Sequence, residues 1–186
     1  MRKRAQPSGL ILVHGGCGGS KPAPPQLETI RKSIEKGYAL LEKGAPAIDA
    51  VEAAVTVLEK SGRFNAGRGS RRQMDGIPRM DASLMNGRDL SAGAVAAIEN
   101  ILTPIRAARL VMEKTPHLLL VGESAARLAR LHGVETFSPA SKRRGGRKIP
   151  VPEKWSDLFD RLSEMGTVGA VARDLIGDVA AGTSTG

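Results

Sequence analysis

A glycine and a threonine stand together at positions 166 and 167, opening the run Gly166-Thr167-Val168-Gly169-Ala170-Val171-Ala172. Inside a chain, a threonine hydroxyl is a poor nucleophile. It becomes a competent one if the bond before it is cut, because the freed α-amine sits on the same residue and can take the hydroxyl proton. An α-amine has a reference pKa of about 7.7–8.0, so much of it can accept a proton near neutral pH. Gly166 suits such a cut. Without a Cβ it reaches strained dihedrals and leaves its carbonyl open to the Thr167 hydroxyl. That attack turns amide into ester, and water then hydrolyses the ester. By itself a Gly-Thr pair at a strand head is ordinary, so the chemistry needs partners.

Three other groups could supply them. Thr183-Ser184-Thr185 lies on a run returning toward Thr167, and a hairpin would bring Thr185 within hydrogen-bond reach. β-Branched residues are also common at strand ends. Asn65, in Phe64-Asn65-Ala66-Gly67, carries an amide that donates and accepts. It could hold an amine or a substrate group, or shape a turn. His14-Gly15-Gly16 follows an apolar run, and its glycines permit a backbone flip or a close approach. His14, His117 and His132 show no metal-ligand spacing. Cys17 is the one cysteine. It excludes an intramolecular disulfide and a multi-cysteine zinc site, and no neighbour marks it as a nucleophile.

The elements that must position these groups are legible as patterns. Gly9 to Val13 reads as a buried strand stopped by glycines. Lys21 to Pro25 is a proline-punctuated loop. Ile30, Ile34, Tyr38 and Leu41 form one helical face, ended by Gly44. A second helix starts near Pro46, with Ile48, Val51, Val55 and Leu58 as its stripe, and closes at Ser61-Gly62. Met80, Ala82 and Leu84 alternate as a strand. Asn86-Gly87 signals a tight hairpin, and Ala92, Ala94, Ala96 and Ile98 return from it. Thr103-Pro104 starts a helix reaching Lys114. Leu118 to Val121 is a strand, and Glu123 to Leu131 a helix ending at Gly133. Positions 138–152 read as an exposed linker, followed by a short helix near Ser156 to Glu164. Asp174 to Asp178 turns the chain, and Val179 to Ser184 runs back. Antiparallel hairpins beside helices predict a layered α+β fold.

Composition bounds the rest. The chain has 186 residues, 41% of them hydrophobic and 3% aromatic, with 28 Lys plus Arg against 19 Asp plus Glu, a net charge of +9. This length fits a single domain with a real core. No apolar run approaches the roughly 18 residues needed to span a membrane. A basic balance can favour anionic partners. However, the cluster Lys142, Arg143, Arg144, Arg147 and Lys148 has no aromatic among its charges, so nucleic-acid binding is not expected. Arg2, Lys3 and Arg4 precede an apolar stretch too short for a signal-peptide core. A cytoplasmic protein is expected.

Several motifs then occur together, in one order. They are Leu10-Ile11-Leu12-Val13-His14-Gly15-Gly16, Phe64-Asn65-Ala66-Gly67-Arg68-Gly69-Ser70, Met80-Asp81-Ala82-Ser83-Leu84-Met85-Asn86-Gly87, Ala108 to His117, Leu120-Val121-Gly122-Glu123, Gly166 to Ala172, and Thr183-Ser184-Thr185-Gly186. Together they resemble the plant-type L-asparaginase / isoaspartyl peptidase family of N-terminal nucleophile hydrolases, with Asn86 where Asp is usual. The resemblance implies a four-layer αββα sandwich. It implies a precursor that cleaves itself between Gly166 and Thr167, giving an α-subunit of residues 1–166 and a β-subunit opening at 167. Thr167 would be nucleophile and base, Thr185 its hydrogen-bonding support, and Asn65 the holder of the new amine. The Gly15-Gly16 loop would assist the cleavage.

The resemblance further implies a structural sodium ion on the backbone carbonyls of Leu58, Glu59, Ser61, Phe64, Ala66 and Arg68. It implies no cofactor for the chemistry, and a homodimer of αβ units. The expected substrate is asparagine or a β-aspartyl dipeptide, hydrolysed to aspartate. Family members continue well past the position matching Gly186. That stretch carries their substrate-anchoring Arg and Asp and an oxyanion-hole Thr-Gly. The expectation is therefore a domain lacking much of its β-subunit, inactive without it. A glycosylasparaginase, a taspase-like threonine protease and a non-catalytic basic binding fragment are the alternatives.

Overall fold

The computed structural model describes residues 8–17, 21–73, 75–137 and 166–186. The linker expected at 138–152, the helix near 156–164 and the basic clusters at 2–4 and 142–148 lie outside the described residues. The elements are β1 (Leu10–His14), α1 (Pro24–Glu42), α2 (Ala47–Ser61), a short 3-10 turn (Gly67–Gly69), β2 (Met80–Asn86), β3 (Ala92–Ile98), α3 (Pro104–Lys114), β4 (Leu119–Val121), α4 (Gly122–Leu131), β5 (Val168–Arg173) and β6 (Val179–Thr185). The strands make one sheet in the order β1-β5-β6-β2-β3-β4. Every pairing is antiparallel except β3 with β4. The α+β class read from the sequence holds. Among the described residues no helix is long and apolar enough to cross a membrane.

Period-two alternation decides which face is buried. On β6, Ala180, Gly182 and Ser184 are buried, whereas Val179, Ala181 and Thr183 are exposed. The buried face meets the helices. A Cβ on Gly182 would stand 2.8 Å from Val51 of α2 and 3.2 Å from Ile105 of α3. Glycine there lets two helices close over the central strand. The core beneath them includes Val51, Val55, Leu58, Met80, Leu84, Val95, Ile105 and Val168.

The other face of the sheet is bare and apolar. Leu10, Leu12, Met85, Val171 and Val179 are 50%, 61%, 43%, 47% and 52% exposed. They line a groove of about 410 Å³. An antiparallel sheet with a wetted face normally carries polar residues there, so this face is built to be covered.

Three local readings need correction. The buried side of α1 is Thr29, Ser33, Gly37 and Leu41, while Ile34 and Tyr38 are 36% and 40% exposed. Small residues win because α1 lies close against α2. The Ser33 hydroxyl donates to the Ala54 carbonyl at 2.8 Å, and a Cβ on Gly37 would lie 2.9 Å from the Ala50 carbonyl oxygen.

Asn86-Gly87 makes no two-residue turn. The Asn86 N–H donates to the Ser91 carbonyl across a longer loop. Gly87 is needed instead because Val179 lies 2.7 Å from where its Cβ would be.

On β3, Val95 and Ile98 are buried and Ala92, Ala94 and Ala96 are only half-buried. The phase changes at Ala97, whose φ is +50° and whose N–H donates to the Asp81 carboxylate at 2.7 Å. One extra residue there shifts the pairing from Met80 to Ala82.

Candidate active site

The hairpin β5–β6 carries both threonines. Its closed end is fixed by Asp174, which is buried. The Asp174 N–H donates to the Asp178 carbonyl, and the Asp174 carboxylate accepts from the N–H groups of Ile176, Asp178 and Ala47 at 3.1, 3.0 and 3.1 Å. Ala47 opens α2, so one carboxylate joins the turn to a helix N-terminus, where negative charge is favoured. Toward the open end, Val168 pairs with Ser184 and Gly169 with Thr183. Continued by one residue, that register sets Thr167 opposite Thr185. Thr185 is held from its other side by β2, opposite Asp81. Thr167 is exposed and Gly166 half-buried.

The glycine loop reaches the same place. His14 pairs with Gly169, and its imidazole occupies the space that a Cβ on Gly169 would need. Beyond it, Gly16 has φ +100°, and a Cβ there would lie 2.8 Å from the Gly166 Cα and 3.1 Å from the Thr167 nitrogen. Its backbone therefore lies directly against the Gly166–Thr167 peptide. Gly15 is equally constrained, with the Phe64 ring 2.5 Å from its would-be Cβ. Gly15, Gly16, Asn65 and Gly166 line one cavity of about 420 Å³.

Asn65 is engaged at both ends. It donates to the Gly186 carbonyl at 2.7 Å and accepts from the Arg71 N–H at 3.0 Å. It thus holds the residue after Thr185. In the intact chain the Thr167 nitrogen is an amide, so the expected amine contact has no partner yet. Cys17 is exposed and lines the same cavity.

The six expected sodium positions fall on the C-terminal turn of α2 and the loop that follows. Gly67 and Gly69 allow that loop to fold tightly. A Cβ on Gly67 would lie 2.6 Å from the Glu59 carbonyl oxygen, and one on Gly69 would overlap the Phe64 carbonyl oxygen. Glycines thus leave a backbone-oxygen cradle, which suits a hard cation. The Leu58, Phe64 and Ala66 carbonyls already accept hydrogen bonds from the Ser61 hydroxyl and from the N–H groups of Ala66 and Gly69. A carbonyl has a second lone pair to offer. Among the described residues no group of three His, Cys, Asp or Glu could hold a metal ion.

Sequence reasoning overlooked the Glu59 side chain. It is fully buried, and burial pushes its carboxyl up to about 8, opposed by the Ser184 hydroxyl and the Ile105 N–H. Ile105 donates to Glu59 at 2.9 Å. Thr103, the residue expected to cap α3, makes no side-chain cap bond. Glu59 caps that helix from α2 instead. The signal was present: Glu59 stands four residues after Val55, on the apolar stripe of α2.

The fold is α+β, and the site is a Gly-Thr bond at a strand head, faced by a glycine loop and a carboxamide-lined cavity. Comparison with known proteins gives the class. A family model described as Asparaginase matches residues 7–186, and the chain belongs to that family. It is 45% identical over 188 residues to the isoaspartyl peptidase/L-asparaginase of Bos taurus, and 44% identical over 185 residues to that of Homo sapiens. It is 43% identical over 192 residues to the plant-type L-asparaginase of Pyrococcus abyssi. These alignments cover 95% of this chain and 60%, 60% and 62% of those relatives. The chain therefore spans about three fifths of the length of the curated relatives it matches.

Proposed function

We propose that this chain is the self-cleaving precursor of an amidohydrolase acting on L-asparagine or β-aspartyl dipeptides. The observation that carries the reading is the Gly16 backbone seated against the Gly166–Thr167 bond, at the strand end where the register sets Thr167 opposite Thr185.

In self-cleavage the Thr167 hydroxyl attacks the Gly166 carbonyl carbon. The C–N bond breaks as the C–O ester forms, and the hydroxyl proton ends on the departing nitrogen. Water hydrolyses the ester, leaving residue 166 with a carboxylate and Thr167 with a free amine. Thr185 supports the hydroxyl from the neighbouring strand. Asn65, once the new terminus exists, shares its amide between that amine and the Gly186 carbonyl.

In turnover the same hydroxyl attacks the substrate's side-chain carbonyl, with the amine of Thr167 taking the proton. That proton passes to the leaving ammonia or amine, a β-aspartyl ester remains on Thr167, and water releases aspartate. A sodium ion on the carbonyls of Leu58, Glu59, Ser61, Phe64, Ala66 and Arg68 would fix the loop that carries Asn65. The bare apolar sheet face suits the inner surface of an αββα sandwich, whose second sheet we assign to the length found in the relatives and not spanned here.

Intact mass measurement over time tests the reading. Pieces matching Met1–Gly166 and Thr167–Gly186 are expected, and are to be absent in Thr167→Ala. The same pieces from Thr167→Ala would overturn it.

A further inference from the structure

The cavity beside the Gly166–Thr167 bond has a one-sided charge. Arg63 and Arg71 line it, together with Gln26 and Asn65, and among the described residues no Asp or Glu does. Arg63 is exposed, with no carboxylate paired to it among the described residues. Its backbone is anchored: the Gln26 amide donates to the Arg63 carbonyl at 3.3 Å while accepting from the Ala23 N–H at 2.8 Å. That bond ties Arg63 to the start of α1, whose first turn has no acidic residue. Arg71 is anchored in its turn by its N–H bond to Asn65. Arg63 and Arg71 thus border one opening.

We infer that this cavity selects substrates by an extra carboxylate, with Arg63 as the specificity-determining residue, so that β-aspartyl dipeptides are bound in preference to free asparagine. This rests on the reading above for its choice of substrates. The charges make the distinction. Zwitterionic asparagine is net neutral, with one carboxylate. A β-aspartyl dipeptide has one ammonium and two carboxylates and is net negative. Its second carboxylate belongs to the residue beyond the scissile bond, and a guanidinium meets it with paired donors. Amidating that C-terminus removes the charge and little else.

The test measures equilibrium binding of β-aspartyl-leucine and of its C-terminal amide to the full chain by calorimetry, with turnover of both followed separately. The free acid should bind about fivefold more tightly, the factor for an exposed ion pair worth about 1 kcal/mol. In Arg63→Gln that ratio should fall toward one. In Lys36→Gln, about 15 Å along α1 from Gln26, it should stay unchanged. Raising the salt should compress it. Equal binding of acid and amide, or a ratio that survives Arg63→Gln, overturns the inference even if both are hydrolysed. A ratio present and sensitive to Arg63 upholds the charge selection whether or not turnover follows, and the hydrolase reading is decided separately by whether Thr167→Ala abolishes the Met1–Gly166 and Thr167–Gly186 pieces. Binding of neither overturns the inference as well.

Discussion

Replacing Gly16 by alanine strikes the proposed cleavage without touching any reacting atom. The new Cβ would lie 2.8 Å from the Gly166 Cα, 3.1 Å from the Thr167 nitrogen and 3.2 Å from the Gly166 carbonyl carbon. Ordinary contact begins near 3.4 Å, so the Gly166–Thr167 peptide must retreat by about 0.6 Å. Residue 16 also sits at φ +100°, outside the regions an L side chain prefers, which costs about 1–3 kcal/mol. A misplacement of about 1 Å can lower a rate by about 10²-fold. We therefore expect cleavage in Gly16→Ala to slow by at least about tenfold, followed as the appearance of the Thr167–Gly186 piece by intact mass. Gly44→Ala separates strain from contact. Its φ is +79°, yet nothing lies within 4 Å of the added methyl, so it should lower stability by about 1 kcal/mol and leave the cleavage rate alone. If Gly16→Ala cleaves as fast as the parent, the glycine loop has no part in the reaction.

Further outcomes concern the core and the surfaces. Thr167→Ser should still cleave, since it keeps a hydroxyl on the same carbon, and loss of all cleavage in that variant would show that more than the hydroxyl is required. Glu59 has its carboxyl raised by burial from 4.5 to about 8. The folded state therefore binds the extra proton, and stability falls as pH rises through that window and levels off above it. In sodium-free buffer Glu59→Gln should flatten this slope, regaining on the order of a few kcal/mol at alkaline pH in denaturant titrations; an unchanged slope would refute the assignment. Ser33→Ala removes the buried bond to the Ala54 carbonyl and should cost about 1 kcal/mol in a denaturant melt. Leu12→Thr with Val171→Thr, paired neighbours on the bare face, should reduce self-association by light scattering without lowering the melting temperature.

Much of this was legible in the sequence because it depends on local pattern. Alternation placed β2 with Met80, Ala82 and Leu84 on the buried face. Pro46 and Gly62 bracketed α2 as expected, with Gly62 left-handed at φ +69°. The order of the motifs pointed to one family. What escaped depends on contacts between distant segments. The true face of α1 was hidden because periodicity counts apolar side chains, and here close helix approach selects Ser33 and Gly37 instead. Thr103 stands at the N-cap position as the pattern suggested, but the side chain that satisfies the helix start is Glu59, 46 residues away, beyond what local pattern can show. The Asn86-Gly87 pair looked like a tight turn, whereas its glycine answers to Val179 of another strand. Within the candidate site, the threonines and Asn65 stood out by residue type. The pairing of Asn65 with Gly186 required the fold.

The clamp at Asp174 has a consequence for the moment after the proposed cleavage. Val168 is already buried and paired, and the far end of the hairpin is bolted to α2. A newly made terminus would therefore be a stub one residue long on a rigid post. It could pivot about its own backbone bonds but could not drift, so its nitrogen would emerge beside the Gly16 backbone it already lies against, without any search through conformations.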